Sequence, residues 1–376
     1  MSRNLIGLID GTMVSASRAS VYQSYSNVFE LACLLQLTDR SEDGSPQIVF
    51  YTSGISSQPD NSSIYNLATG NSIQSQVIDQ YTNLCANFDF KSAQSGKPDR
   101  IFLFGFSRGA MAIRAVAGLI AEFGLLHPRD IRHLPLVIEA WDNTRGKGSL
   151  PDEIKLIPVE IDFIGLFDSV MGGVEWLSLF NPIRFNNPLL PARCKHGIQI
   201  LAIDENRAFF KPKQWEGAHA GRTAAGRKCS DRYLRQIWMP GVHSDVGGTA
   251  NPIWGRAALL AMTFYLNKLT PLSLDTDWLA EKEASLRNSL DDRRLFITRH
   301  KGFFSRYVRK PMAGENAQQR RHPICDQLDE LNYDGKERFQ WRDKVFQKHF
   351  ANVITDDDLE EYFRSILCLD EEQAAA

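Results

Sequence analysis

The sequence lacks several features that would assign it to a specialised class of protein. Its six cysteines are scattered over 376 residues without a Cys-x-x-Cys pair, which indicates neither a disulfide framework nor a zinc site. An excess of charge of one sign is also missing, because 43 basic and 45 acidic side chains give a formal charge of −2. We therefore expect a protein that does not bind nucleic acid, since such proteins carry a basic domain or stripe.

Long hydrophobic runs are missing as well. The first residues, MSRNLIGLIDGT, become polar after a few apolar positions, so no signal peptide is visible. The longest apolar stretches, such as residues 257–266, are too short to span a bilayer. We expect a soluble chain made in the cytoplasm, which would need a signal-independent route for any export.

Short aliphatic runs alternate with helical patterns through the first two thirds of the sequence. Strands are predicted at residues 4–9, 47–51, 100–104, 159–167, 197–203 and 236–239, with helices between them. This alternation is typical of an α/β fold with a mostly parallel central sheet flanked by helices. From residue 271 onward charged helical patterns dominate, which predicts a sheet domain at 1–270 and a helical C-terminal cap at 271–376. Within the first domain, insertions are expected near 126–158 and 170–195.

The segment Gly105-Phe106-Ser107-Arg108-Gly109 lies between the most apolar predicted strand and a helix rich in small residues. This is the G-x-S-x-G pattern in the strand-turn-helix context that it requires. The sharp turn exposes the serine, and side chains at the two glycine positions would collide with neighbouring backbone. The amide of Arg108 would lie in the field of the helix N-terminus, where it can stabilise an oxyanion. The pattern predicts Ser107 as a nucleophile.

A serine hydroxyl needs a base and a group that orients this base. His243 follows a predicted strand in the glycine-rich loop MPGVHSDVGG, and such loops hold the active sites of open α/β sheets. The other seven histidines lie among charged or turn residues and are predicted to be on the surface. We therefore predict His243 as the base.

Two aspartates compete to orient this histidine. Asp168 ends the predicted strand that follows the nucleophile strand, and Asp204 ends the next one. Both preserve the chain order Ser, Asp, His used by α/β-hydrolases, so the residues alone leave the choice open. Asp245, two residues from the base, more naturally accepts hydrogen bonds from loop amides.

The second oxyanion donor in such folds comes from a loop after an earlier strand. The turn Asp10-Gly11-Thr12 follows the first predicted strand and has the required shape, because glycine permits a close approach of the backbone. Gly11 and Thr12 are therefore candidate donors, although a plain Asx turn would have the same sequence.

With these residues in place, the chain resembles the bacterial α/β-hydrolase family of type VI secretion lipase effectors, the phospholipase effectors with a GFSRGA nucleophile motif. The matching pieces occur in the family's order over residues 4–250 and are LIDGT, FGFSRGA, LFDSV, LAIDENRAFFKPKQW and MPGVHSDVGG. The resemblance implies an α/β-hydrolase fold with Ser107 as nucleophile and His243 as base. It favours Asp168 as the acid, because LFDSV corresponds to the family's D-[ST]-V.

The resemblance also implies a function. It indicates a phospholipase A-type hydrolase that cleaves acyl esters of glycerophospholipids through an acyl-enzyme, without a metal or cofactor, and a partner in a secretion apparatus or an immunity protein. One alternative is a catalytically idle hydrolase fold that serves as a binding module. A non-lipid esterase, thioesterase or peptidase would use the same triad, because the pocket rather than the triad selects the substrate.

Two segments suggest contact with lipid. Residues 293–310, RRLFITRHKGFFSRYVRK, carry seven basic side chains and no acid, interleaved with four aromatic residues. Such a composition favours peripheral contact with anionic membranes, although a solvated helix with packed aromatics would look the same. The apolar residues of 176–190 could line an acyl pocket or cover the sheet.

Overall fold

The structure is a computed structural model of the 376-residue chain. It describes residues 2–12, 14, 25–54, 71–142, 150–151, 153–172, 188–218, 233–291, 307–313, 317–326, 348–350 and 352–367.

Strands and helices alternate along most of the described chain. The strands are β1 (Asn4–Ile9), β2 (Gln47–Thr52), β3 (Arg100–Phe106), β4 (Leu125–Leu126), β5 (Leu156–Ile157), β6 (Ile161–Phe167), β7 (Leu189–Leu190), β8 (Cys194–Ala202), β9 (Gly217–Ala218), β10 (Tyr233–Met239) and β11 (Gln319–Arg321). The helices are α1 (Asn27–Leu34), α2 (Asn71–Asn87), α3 (Phe90–Gln94), α4 (Ser107–Phe123), α5 (Leu134–Asp142), α6 (His243–Val246), α7 (Pro252–Leu269), α8 (Thr276–Asp291) and α9 (Asp357–Ile366). Short 3-10 turns cover Pro128–His133 and Ala208–Phe210.

Seven parallel strands form the central sheet in the order β11-β10-β8-β6-β3-β1-β2. The predicted α/β fold with a mostly parallel sheet is thus confirmed. The chain passes from β1 to β2 on one side and then returns to β3 on the other side of β1. A crevice opens where the strand order reverses in this way, at the carboxyl ends of the strands. The ends of β1 and β3 carry the Asp10-Gly11-Thr12 turn and Ser107, so the topology brings both predicted motifs to this crevice.

Helices cover both faces of the sheet. Alternate side chains of each strand point to opposite faces, so Leu5 and Leu103 pack with α2 and α4, whereas Ile6 and Phe102 pack with α1 and α7. The strands β1 and β3, to which these residues belong, are almost fully buried, which explains their continuous apolar runs. The small residues of α4 allow this helix to lie close against β1 and β3.

The region expected to be a helical cap also contributes to the sheet. Its helices α8 and α9 pack on the α7 face, but β11 adds a seventh strand by pairing Gln236 with Gln319 and Trp238 with Arg321. A boundary at residue 270 therefore does not separate the sheet from the remainder of the chain. The prediction missed β11 because Gln319-Arg320-Arg321 is short and polar and carries no strand pattern.

The two predicted insertions are only partly described. The region near 126–158 holds α5 and a small antiparallel ladder in which β5 pairs with β4. The region near 170–195 includes β7, which pairs with β9, while most of the apolar segment at 176–190 lies outside the described residues. Among the described helices, none combines the length and hydropathy that a membrane crossing needs.

Candidate active site

Ser107 occupies a strained turn between β3 and α4. Its φ of 60° lies in the left-handed region, which is unusual for a residue with a side chain. The neighbouring backbone allows this turn only without side chains on either flank. A Cβ at Gly105 would lie 2.7 Å from Ala110 Cα, and a Cβ at Gly109 would lie 2.3 Å from the carbonyl oxygen of Asp10. The two glycines of the motif therefore answer a steric demand that fixes the position of Ser107.

His243 begins the short helix α6 and is separated by three residues from the end of β10. Its Nε2 lies 2.8 Å from Ser107 Oγ, and its Nδ1 lies 2.6 Å from Asp168 Oδ2. The rings of Phe106 and Phe210 flank the imidazole, each with its centroid 4.8 Å from that of the histidine. These contacts hold the ring between the serine and the aspartate with only 5% of the residue exposed.

Hydrogen bonds from a residue that we did not predict to belong to the site hold the loop around His243 in place. Asn27, at the start of α1, donates from Nδ2 to the carbonyl oxygens of Val246 and Gly255, both at 2.9 Å. Its backbone amide donates to the carbonyl oxygen of Gly247. Asn27 thus joins α1 to α6 and α7, which lie more than 200 residues further along the sequence.

Asp168 lies at the carboxyl end of β6 with a φ of 42° and no exposed surface. Its Oδ2 faces His243, and its Oδ1 accepts a hydrogen bond from the backbone amide of Ala202. Burial alone would raise the pKa of Asp168, but the charge of Arg309 and hydrogen bonds from His243 and Arg309 reverse this effect and hold the pKa well below the usual range. An ionised carboxylate only accepts, so Nδ1 of His243 carries the proton and Nε2 accepts from the serine hydroxyl.

Arg309 is the second residue that sequence reasoning missed. We predicted it as part of the basic segment at 293–310, yet its side chain is fully buried and pairs with Asp168 at 2.6 Å. Arg309 therefore cannot face a membrane. Most of the other residues of that segment lie outside the described part of the chain, apart from residues 307–310. No local pattern distinguishes a buried arginine from its solvated neighbours.

Asp204 lies near the site but does not reach the histidine ring. Its Oδ2 accepts a hydrogen bond from the amide of Gly241 at 2.8 Å, which secures the loop after β10. Asp245 likewise accepts from the amides of Val242 and Asn251, as its position in the loop predicts. The structure brings Asp168, and not Asp204, to Nδ1 of His243.

The Asp10-Gly11-Thr12 turn lies beside the serine, with Gly11 against the ring of Phe106. Asp10 accepts hydrogen bonds from Ser26, Tyr51 and the amide of Gly11, the last at 2.7 Å. The Gly11 amide is therefore engaged with a carboxylate in this structure. Thr12 Oγ1 is buried without a hydrogen-bond partner among the described residues.

The predicted surface position of the remaining histidines fails for His322. This residue is fully buried, and its ring lies edge-on to Phe363 with centroids 4.3 Å apart. Its charged neighbours in the sequence gave the opposite indication. Within the described ranges, no group of three or more His, Cys, Asp and Glu side chains is arranged to hold a metal ion.

Comparison with known proteins identifies a family. Residues 3–266 match the family described as the type VI secretion system (T6SS) phospholipase effector Tle1-like catalytic domain. An uncharacterised protein of Saccharomyces cerevisiae is 28% identical over 231 residues, which cover 56% of this chain and 32% of that protein.

Two solved structures are also similar. The Tle1 effector bound to the VgrG spike from the type 6 secretion system is 23% identical, with a TM-score of 0.38 over 67% of this chain and 52% of that chain. An uncharacterised protein from Pseudomonas aeruginosa is 16% identical, with a TM-score of 0.41 over 97% of this chain and 66% of that chain. The chain thus spans about a third of the yeast relative and about half of the Tle1 effector.

Proposed function

Since the chain belongs to the family of Tle1-like catalytic domains of type VI secretion phospholipase effectors, we propose that it is a serine hydrolase that cleaves acyl esters of membrane glycerophospholipids. One observation carries the proposal. A continuous path of hydrogen bonds runs from Ser107 Oγ through the imidazole of His243 to the carboxylate of Asp168. This path supplies the base and the orienting acid that a serine nucleophile needs.

In the first half of the proposed reaction, Ser107 Oγ attacks the ester carbonyl carbon while Nε2 of His243 takes the hydroxyl proton. Asp168 stabilises the imidazolium that forms. The tetrahedral intermediate then expels the lysophospholipid alcohol, which receives the proton from Nε2, and an acyl ester remains on Ser107. In the second half, water attacks this ester by the same proton path and releases the fatty acid.

The developing oxyanion would accept hydrogen bonds from two sides of the crevice. Arg108 follows Ser107 in the first turn of α4, so its amide lies in the positive field of the helix N-terminus, which supports this amide as one donor. Thr12 is the proposed second donor, because its turn lies beside the serine and its buried hydroxyl has no other described partner. Gly11 shapes this turn, and its amide donates to Asp10.

The family description supports a phospholipid substrate and an effector role. We propose that the chain is exported through a type VI secretion apparatus, as a partner of one of its components, and that an immunity protein protects the producing cell. The related Tle1 effector has been seen bound to a VgrG spike. We also propose a peripheral contact with the membrane through exposed Lys310, which follows Arg309 in the sequence, since basic side chains attract anionic lipid.

An activated fluorophosphonate tests the nucleophile. We expect intact-protein mass spectrometry to show one adduct on the wild type, none on Ser107→Ala and a much slower reaction of His243→Ala. Ser95→Ala is the matched control, because this exposed serine at the end of α3 lies far from the crevice and its variant should react like the wild type. Equal labelling of Ser107→Ala would remove the proposal.

Labelling, followed by hydrolysis assays with phospholipids and with short soluble esters, separates the alternatives. A catalytically idle binding module would leave the wild type unlabelled. A chain that is labelled but hydrolyses only short soluble esters or thioesters would remain a serine hydrolase and lose the phospholipid assignment.

A further inference from the structure

A fully buried arginine binds the acid of the candidate site. Arg309 Nη1 donates to Asp168 Oδ1 at 2.6 Å, and Nη2 donates to Oδ2 at 2.9 Å. Oδ2 is also the atom that faces Nδ1 of His243. Arg309 and His243 therefore bind the same carboxylate oxygen of Asp168. The two parallel hydrogen bonds from the guanidinium fix the plane of this carboxylate.

The same guanidinium also binds two backbone carbonyl groups beside the site. Its Nη1 donates to the carbonyl oxygen of Ala202, and its Nη2 donates to that of Phe210 at 2.5 Å. Ala202 is the residue whose amide binds Asp168, and the Phe210 ring packs on the imidazole. One side chain thus ties together the acid, the end of β8 and the aromatic residue beside the base.

A contribution to stability alone does not account for this arrangement. Removing two charges from water costs several kcal/mol per ion, so a buried ion pair is often no more stabilising than apolar residues of the same volume. The pair does change the chemistry of the site. A fully buried carboxylate without a cation tends to take up a proton, and a protonated Asp168 would no longer orient His243 as a hydrogen-bond acceptor.

We propose that Arg309 is a positioning residue of this hydrolase, which keeps Asp168 ionised and holds its Oδ2 in line with Nδ1 of His243. The inference rests on the proposed function. It also places a positioning residue of the site in the C-terminal region, beyond the residues 3–266 that match the family.

The pH dependence follows from the charges that surround the imidazole. Asp168 and Arg309 face its Nδ1 side, and Glu205 accepts a hydrogen bond from the backbone amide of His243. Arg207 pairs with Glu205, the carboxyl of Asp204 follows β8, and the carboxyl of Asp245 belongs to α6 itself. Removing the Arg309 cation would make the Asp168–His243 pair bind a proton more readily. The acidic limb of the pH profile of kcat/KM should then move to higher pH.

Three variants test the proposal, with a soluble ester as substrate between pH 5 and 9. Arg309→Met should lower kcat/KM by about 10–100-fold and move the acidic limb upward by about one pH unit or more. Arg309→Lys retains the cation but not the paired hydrogen bonds, so its kcat should fall while the limb stays near that of the wild type. Arg3→Met is the matched control, because it removes a guanidinium bound to Asp99 at the amino ends of β1 and β3, opposite the site, and should leave the profile unchanged.

A double variant links the effect to Asp168. In an Asp168→Asn background, Arg309→Met should cause little further loss of kcat/KM, because the group through which it acts is already gone. A folded Arg309→Met with the wild-type profile, or an equal fractional loss in both backgrounds, would overturn the inference.

Thermal unfolding shows whether Arg309→Met folds. If it does not, Arg309→Lys decides the question. A wild-type kcat of Arg309→Lys would overturn the inference, and a reduced kcat with an unmoved acidic limb would support it. A wild type that does not react with phosphonate would instead overturn the proposed function itself.

Discussion

At the scale of single residues, the position of Ser107 depends on the absence of neighbouring side chains. A Cβ at Gly109 would lie 2.3 Å from the Asp10 carbonyl oxygen and 2.4 Å from that of Ile9, and both atoms belong to rigid backbone. The helix α4 can therefore approach β1 only with glycine at this point. This close approach also brings the Asp10-Gly11-Thr12 turn to the serine.

The first prediction concerns this contact. Gly109→Ala should lower the free energy of unfolding by about 2–3 kcal/mol and abolish phosphonate labelling, because the added methyl group pushes α4 away from β1. Gly118→Ala is a matched control in the same helix, where the nearest atom to a new Cβ is 3.9 Å away. This variant should be neutral or slightly more stable, since alanine favours helix. Equal effects of both substitutions in urea unfolding would contradict the steric argument.

A second prediction decides which aspartate acts as the acid. Asp168→Asn should reduce kcat by about a thousandfold or more, because an amide at Nδ1 favours the wrong tautomer of His243. Asp204→Asn should keep kcat/KM within about tenfold of the wild type, since Asp204 binds the Gly241 amide and not the ring. The reverse ranking, in variants that both unfold cooperatively, would show that the hydrogen bond from His243 to Asp168 is not the functional one.

The sequence predicts some of these residues better than others, for a physical reason. Ser107 and His243 belong to local motifs whose glycines restrict the backbone, so a short stretch of sequence identifies them. Asp168 and Asp204 both end parallel strands, and only the left-handed turn at Asp168 aims one of them at the imidazole. Arg309 pairs with a residue 141 positions away, and its own neighbours contain no signal of that contact.

At the scale of elements, helix α6 carries both the proposed base and a carboxyl with unusual titration. Asp245 is fully buried, and burial, together with the charges of Asp204 and Glu205, raises its pKa from 3.8 to about 6. Hydrogen bonds from two backbone amides limit the effect without reversing it. The loop that holds His243 therefore contains a group that takes up a proton in mildly acidic solution.

The third prediction follows from the sign of this shift. Because the pKa of Asp245 is higher in the folded chain, the folded state binds the extra proton between about pH 4 and 6, and stability falls as pH rises through this window. The free energy of unfolding is thereby lower above pH 6 than below pH 4 by on the order of 2–3 kcal/mol from this group alone. In urea unfolding at pH 4, 5, 6 and 7, the free energy of unfolding of Asp245→Asn should rise relative to that of the wild type as the pH increases, because the variant loses this one contribution and keeps those of the other carboxyls. Parallel curves would contradict the raised pKa.

The strands illustrate how far element prediction extends. Six strands of the central sheet contain short aliphatic or aromatic runs, and these runs predict the positions of the strands to within a few residues. β11 consists of Gln319, Arg320 and Arg321 and has no such run. These residues are half-buried at the edge of the sheet, so the position does not require apolar side chains. Its place depends on pairing with β10 and cannot be derived from its own composition.

At the scale of the whole molecule, the sheet and the C-terminal region form one structure. β11 extends the sheet, Arg309 completes the surroundings of Asp168, and Phe363 of α9 packs with the core on the α7 face. A sequence division at residue 270 follows the change from strand patterns to helical patterns. The ion pair between Arg309 and Asp168 crosses this division at the candidate active site.

The fourth prediction tests this integration. A chain that ends at residue 270 should show neither phosphonate labelling nor the cooperative unfolding of the full chain, because it loses Arg309, β11 and the helices α8 and α9. Circular dichroism during thermal unfolding and intact-protein mass spectrometry measure the two properties. A shortened chain that unfolds cooperatively and reacts at the wild-type rate would show that residues 1–270 are an autonomous domain.

The central claim is that Ser107 carries the acyl group of a membrane phospholipid, and lipid analysis of treated vesicles tests it most directly. Vesicles of phosphatidylethanolamine and phosphatidylglycerol in ¹⁸O-labelled water should yield equal amounts of lysophospholipid and fatty acid with the wild type. The fatty acid should contain one ¹⁸O atom, since water attacks the carbonyl carbon of the acyl-enzyme. Ser107→Ala should yield neither product. Intact lipid after incubation with a folded wild type, or the same products from Ser107→Ala, would contradict the account.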